Sequence, residues 1–272
     1  MSLIYNATFD KNTRKLSFED KAGNEIYSFT VPERAPAVDD ITKPLTFKAT
    51  QDGSTVTLKK IGSIYSNFKT SRDGGKTWVN YSIGTAITLN IGDEVSFLVS
   101  AYSKPSDAKH FYFSMTGEIE AWHNVMSMKT NNFATYNPMI DPMVDYEFQF
   151  LFSSCKSLTK APALPATRLA ANCYYGMFYG CESLTKAPEL PATTLYRWCY
   201  ANMFYGCRSL TKAPELPATT LAQKCYSGMF SGCQSLTKAP ELPATTLEQN
   251  CYQSMFSGCQ SLTRAPELPA TT

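Results

Sequence analysis

All nine cysteines of the 272-residue chain lie after residue 150, and their spacing is the feature that most limits its fold. Positions 155, 181, 207, 233 and 259 follow one another every 26 residues, and so do positions 173, 199, 225 and 251. The chain thus repeats one unit five times, over 147–172, 173–198, 199–224, 225–250 and a shortened 251–272. The first copy is degenerate, with Glu147 and Phe148 where later copies carry Cys and Tyr. A unit this short cannot bury its own apolar face, so copies must cover one another in a solenoid. Stacking aligns Leu184, Leu210, Leu236 and Leu262, and likewise Met177, Met203, Met229 and Met255, at about 4.8 Å per step.

Within a copy, Leu195, Cys199, Met203 and Phe204 recur at i, i+4, i+8 and i+9, which predicts a helix with one buried stripe. Thr193 or Thr194 would cap its start, Thr245 with Glu248 matches a capping box, and Gly206 stands where a glycine ends a helix. The following "SLTKAPEL" leaves room for about three strand residues around Thr211 to Ala213, because Pro214 and Pro217 lack the donors a sheet needs. The expected repeat core is Cys173, Met177, Phe178, Cys181 and Leu184 in the second copy, and Cys199, Met203, Phe204, Cys207 and Leu210 in the third. A short strand, a turn and a helix within this period match the roughly 20–29 residues of a leucine-rich repeat.

"MFSGCQSLTKAPELP" resembles the BspA-like, or Treponema pallidum-type, leucine-rich repeats, whose units carry a Phe-x-x-Cys-x-x-Leu core matched by Phe230, Cys233 and Leu236. The resemblance covers 147–272, with longer units than the commonest form and Ala-Pro-Glu-Leu-Pro in place of a shorter apolar-x-apolar-Pro segment. Members of that family are mainly surface adhesion or recognition proteins of Bacteroidetes and related bacteria, and similar segments occur in phages of those hosts. The resemblance therefore implies protein or glycan binding on an exterior surface.

The remainder reads as antiparallel β structure. "LIYNATF", "KLSF" and "EIYSFTV" predict a meander over 1–33, followed by a proline-rich, charged linker over 34–43. Seven short alternating segments, the last being "HFYFSMTGEIEAW", predict a β-sandwich-like domain over 44–129, and 130–146 connects it to the repeats. The expected fold class is thus an antiparallel β region followed by a leucine-rich solenoid of β and α/β character. The start carries no basic segment leading into an apolar run, so a secretory leader is not expected, and no apolar stretch is long enough to span a bilayer.

Little in the chain points to chemistry. A net charge of +2 without a basic cluster argues against nucleic acid. There is no Cys-x-x-Cys pair, the two histidines, His110 and His123, lie outside the repeats, and neither a nucleophile elbow nor a phosphate loop is present. Neither a metal, a cofactor nor an enzymatic activity is expected. Cys173 and Cys181 would stand about 12 Å apart along a helix, too far to bridge, and equivalent cysteines in adjacent copies would point in parallel. Buried free thiols are expected instead. "SRDGGKTW", Ser71 to Trp78, resembles the Asp-box of sialidase propellers in a single copy, which predicts a tight hairpin with Asp73 bonding turn amides and Trp78 packed inward. Glu189, Glu215, Glu241 and Glu267 recur near Lys186, Lys212, Lys238 and Arg264, a charge ladder whose rows offset each other or form a contact strip.

What varies between copies is more informative about binding. Tyr175, Tyr179, Tyr196, Arg197, Trp198 and Tyr205 cluster in the second and third copies, where the fourth has Ser227, Ser231, Ala222 and Lys224 at matching places. Stacking does not require them. They read either as a partner-binding or glycan-binding patch, or as packing against the preceding domain. Two settings are expected: first a structural component of a phage virion, of fibre or decoration type, infecting a Bacteroides-like host; alternatively a bacterial cell-surface adhesin. The last copy shows no polar cap, so a neighbouring subunit, further chain or a homo-oligomer is expected to cover Cys251, Met255, Phe256 and Leu262.

Overall fold

The computed structural model describes residues 6–10, 15–19, 22, 25–30, 39–135, 137 and 142–269, the three earliest strands as backbone. Met1–Val38 and Asp39–Thr272 are separate compact units. In the first, β1 (Asn6–Asp10), β2 (Lys15–Glu19) and β3 (Glu25–Thr30) form an antiparallel sheet in that order, Phe9 opposite Leu16 and Phe18 opposite Tyr27. Positions 34–38 of the expected linker, and 136 and 138–141 of the connector, lie outside the described residues.

The second unit is mostly strands with few helices and opens on two sheets. β4 (Thr46–Ala49), β6 (Asn67–Ser71), β7 (Val79–Tyr81), β9 (Glu94–Ala101), β11 (Ile119–Trp122) and β12 (Leu158–Lys160) form a six-stranded sheet in the order β12-β11-β4-β9-β6-β7. β5 (Ser54–Ile61), β8 (Ile87–Leu89) and β10 (His110–Thr116) form a three-stranded sheet in the order β10-β5-β8. Period-2 alternation points Phe47 of β4, Val95, Phe97 and Val99 of β9 and Phe113 of β10 into the core. There Phe113 meets Phe47 and Phe97 at 4.7 and 5.2 Å, both edge-on. The run "HFYFSMTGEIEAW" is two strands, not one. Gly117 has φ +70°, and an added Cβ would come within 2.9 Å of the Ser54 backbone, so the chain turns there from one sheet into the other.

The first copy is built into this core. β12 extends the large sheet by pairing parallel with β11, and Phe152 stacks on Phe113 at 5.5 Å. One buried cluster runs from Leu45 to Met255.

The expected helix, with its caps at Thr193, Thr194 and Thr245 and its end at Gly206, is not formed, and among the described residues helices are limited to two 3₁₀ turns, Val125–Met128 and Phe133–Thr135. The stretch from Asn172 to Cys181 is instead a ribbon of successive turns. Every fourth residue is left-handed: Asn172, Gly176 and Gly180 have φ of 56°, 57° and 69°, and Trp198, Asn202 and Gly206 have 59°, 52° and 71°. A helix needs uniform right-handed φ, so this pattern breaks its i to i−4 ladder. Odd-numbered amides close local turns, as Met177 N does to Tyr174 O at 3.2 Å, whereas even-numbered amides donate to the next copy, as Phe178 N does to Met203 O at 2.9 Å. The i, i+4, i+8 spacing of Cys173, Met177 and Cys181 therefore reflects a four-residue turn period, not a 3.6-residue helix.

The strand expected around Thr211 to Ala213 is reduced to single parallel bridges, Lys160 to Lys186, Lys186 to Lys212 and Lys212 to Lys238. The prolines that follow allow no more.

Candidate recognition surface on the stacked copies

The ribbon packs two files of rings inside the stack. Phe152, Phe178, Phe204, Phe230 and Phe256 stack with centroids 5.3 to 5.8 Å apart and planes within 9°. Phe148, Tyr174, Tyr200, Tyr226 and Tyr252 form a second file at 5.8 to 6.0 Å. Cys173, Met177, Phe178, Cys181, Leu184, Cys199, Met203, Phe204, Cys207 and Leu210 are all fully buried. All nine cysteines are free thiols. Cys181, Cys207 and Cys233 donate to the Phe152, Phe178 and Phe204 carbonyls of the copy before, at 3.0 to 3.2 Å. Burial pushes the Cys155 and Cys173 thiols up to about 12, which keeps them protonated and unreactive. Nearly all nine thiols are expected to react with a thiol reagent after denaturation without reductant, and few before. Reaction of fewer than half after denaturation would reveal disulfides and contradict this packing.

The structure divides the six candidate binding residues into two groups. Tyr175 meets Phe150 edge-on at 5.2 Å and Trp198 at 5.9 Å, the Lys224 ammonium lies 4.5 Å from the Trp198 ring centre, and Phe150 contacts His110 of β10 at 5.8 Å. This file runs from β10 to Lys224, so Tyr175 and Trp198 serve packing at least in part. Tyr179 and Tyr205 stack at 4.6 Å with planes 2° apart, yet stay 37% and 38% exposed, and Tyr196 is 46% exposed. The column of Tyr179 and Tyr205 holds serine in the other copies, at Ser153, Ser231 and Ser257, so these two rings fill no structural place. Arg197 is exposed beside Tyr196.

The degenerate residues of the first copy form a junction that sequence reasoning did not identify. Glu147 is buried and takes a hydrogen bond from the Tyr102 hydroxyl, while Lys129, also buried, pairs with it at 3.5 Å. Burial raises the Glu147 carboxyl above its ordinary range, against the opposing pull of Lys129. The Gln149 amide donates to the Ser106 and Asp107 carbonyls at 3.4 and 3.3 Å. Lys160 bonds Asp39 at 2.9 Å and covers Trp122 at 3.7 Å, and His123 Nδ1 accepts from Asp40 N at 3.1 Å. The signal was the departure of Glu147 from the cysteine column, whereas Gln149 gave none, since Gln253 holds the same place in the last copy.

Clefts of about 440, 370 and 640 Å³ open between successive Ala-Pro-Glu-Leu-Pro segments. The expected charge ladder is mostly not paired: among the described residues its rows make one ion pair, Arg264 with Glu267 at 3.2 Å. Pairing occurs elsewhere, with Glu182 set between Lys156 at 2.9 Å and Arg208 at 3.8 Å, exposed contacts that solvent screens.

The Ser71–Trp78 segment joins β6 to β7 in an antiparallel hairpin. Asp73 accepts from the Lys76 and Thr77 amides at 3.0 and 2.9 Å and from the Thr77 hydroxyl, bonds that hold its carboxyl well below the usual range. Trp78 is half-buried and folds over Gly75 rather than into the core, because the turn itself carries it outward. Among the described residues no cluster of three metal-ligating side chains occurs and no helix is long and apolar enough to cross a membrane. Compared with family models, curated proteins and solved structures, the chain matches none.

Proposed function

We propose that this chain is a non-enzymatic recognition protein of the BspA-like leucine-rich repeat type, displayed on a virion or cell exterior. In this reading the β-rich base anchors and the stacked copies form a solenoid whose aromatic flank binds protein or glycan. The observation that carries it is the stacked Tyr179 and Tyr205 pair: large rings held exposed in two copies, in a column where serine suffices elsewhere.

The double variant Tyr179→Ala, Tyr205→Ala is expected to bind host-surface glycoprotein or glycan at least about 10-fold more weakly, the loss of two aromatic anchors. Its melting temperature should fall by only a few degrees, since both rings are partly in solvent and other copies do with serine in the same column. Surface plasmon resonance alongside calorimetry checks both. Undiminished binding by a folded double variant rejects the aromatic flank as the site.

A further inference from the structure

Tyr179 and Tyr205 cover each other on one face only. Their rings are parallel to within 2° and 4.6 Å apart, stacked along the direction in which the copies follow one another, so the second face of Tyr205 is turned toward the fourth copy. Ser231 holds the matching place there. Gly206 N donates to Ser231 O at 2.7 Å just as Gly180 N donates to Tyr205 O at 2.7 Å, which keeps the column in register. In the interior files the next copy supplies the next ring, as Phe230 does for Phe204 at 5.7 Å. In this outer column the fourth copy supplies only a serine side chain, too short to cover a phenol ring, and the Tyr205 face stays open.

The surroundings of that face are polar and uncharged. Ser227 and Ser231 are half-buried and Gln234 is exposed, and their side chains make no hydrogen bond among the described residues. The nearby cations are engaged: Arg208 pairs with Glu182 at 3.8 Å, and Lys224 covers the Trp198 ring at 4.5 Å. The other side of the pair differs. Beyond Tyr179 the first copy has Lys156 in the place of Gln234, and Gln149, in the place of Ser227, is turned to the Ser106 and Asp107 carbonyls.

We propose that the outer face of Tyr205, with Ser227, Ser231 and Gln234 around it, is a subsite for one pyranose ring of a neutral glycan, an inference that rests on the recognition role of this flank. A pyranose turns a face of C–H groups toward the negative face of an aromatic ring and seats at a stacking distance like those the rings of this protein keep. Its hydroxyls both donate and accept, as do serine hydroxyls and a glutamine amide, whereas Lys and Arg only donate and carboxylates only accept. A protein partner is disfavoured because its anchors need a deep, fully desolvated pocket, and here a shallow slot lies over serine.

Calorimetric titration of the full chain with linear hexasaccharides of glucose, galactose and mannose tests this. At least one is expected to bind with a Kd below about 1 mM, with the C–H protons of one sugar unit shifted upfield in the NMR spectrum by the ring they cover. Ser231→Leu leaves both tyrosines in place and lays an aliphatic side chain over the Tyr205 face, so it is expected to weaken that binding at least about 10-fold. Ser153→Leu, which covers the opposite face of the pair at Tyr179, is expected to leave it unchanged. Binding undiminished by Ser231→Leu overturns the subsite, and so does the failure of every hexasaccharide to bind. Host-surface glycoprotein stripped of its glycans then separates the two readings: if it binds, and the Tyr179→Ala, Tyr205→Ala variant does not bind it, the recognition role stands and the glycan inference alone falls; if the double variant binds it equally well, both fall.

Discussion

Raising the pH from about 8 to about 10 in the presence of reductant is expected to abolish the stability of the stacked unit. Burial lifts Cys155 and Cys173 to about 12 and Cys225 to about 11, and pushes Cys181, Cys199, Cys207 and Cys233 upward as well. An unfolded thiol titrates near 8.5. Since the folded values are higher, the stabilisation is whole below that pH and is lost as pH rises toward the folded values, by about 1.4 kcal/mol per unit for each thiol. Over these seven groups the loss by pH ~10 is on the order of 10 kcal/mol, comparable with the entire stability of a typical domain. The buried hydroxyls of Tyr200 and Tyr226, raised by the same desolvation, act in the same direction at higher pH. Urea midpoints at the two pH values decide the matter, and a midpoint that barely moves would mean that the thiols are hydrated.

The Phe204→Ala variant is expected to lose about 3–5 kcal/mol. The ring has no exposed surface and lies parallel between Phe178 at 5.6 Å and Phe230 at 5.7 Å. Collapse of the cavity would require the flanking copies to approach each other, but the Phe204 N to Met229 O and Phe178 N to Met203 O bonds, both 2.9 Å, fix their separation. The adjacent Tyr205→Ala variant, whose ring is partly in solvent, should cost about 1 kcal/mol or less. Equal and small losses from both, read from urea unfolding, would contradict an interior phenylalanine file.

The period, the buried columns and the free thiols were legible because a 26-residue repeat places like residues in like surroundings. The local conformation was misread for a specific reason. Cys173, Met177 and Cys181 repeat every four residues, and four lies close to the helical period; the distinguishing mark is the Asn172, Gly176, Gly180 series, residues that tolerate left-handed φ. Even that mark is incomplete, since Trp198 and Lys224 adopt the same conformation at φ 59° and 56°, held there by inter-copy bonds. The union of the first copy with the sheets was written in Glu147 but not in Gln149, whose place Gln253 shares. The partners, Tyr102 and Lys129 of Glu147 and His110 of Gln149, are 45, 18 and 39 residues away and unrelated by any period. The aromatic candidates were found by comparing copies, yet no pattern could tell the packed Tyr175 from the exposed Tyr179, because both vary in the same way.

The turn ribbon itself is tested most directly by the sign of one substitution, Gly228→Ala, measured by equilibrium unfolding. In a helix interior this change would stabilise the protein by about 1 kcal/mol. In the ribbon Gly228 has φ +62°, and an added Cβ would run into the Asn202 amide oxygen, whose partner nitrogen bonds the Tyr175 hydroxyl at 3.2 Å. The expected result is a loss of at least about 1–2 kcal/mol. A gain in stability would contradict the ribbon and restore the helix.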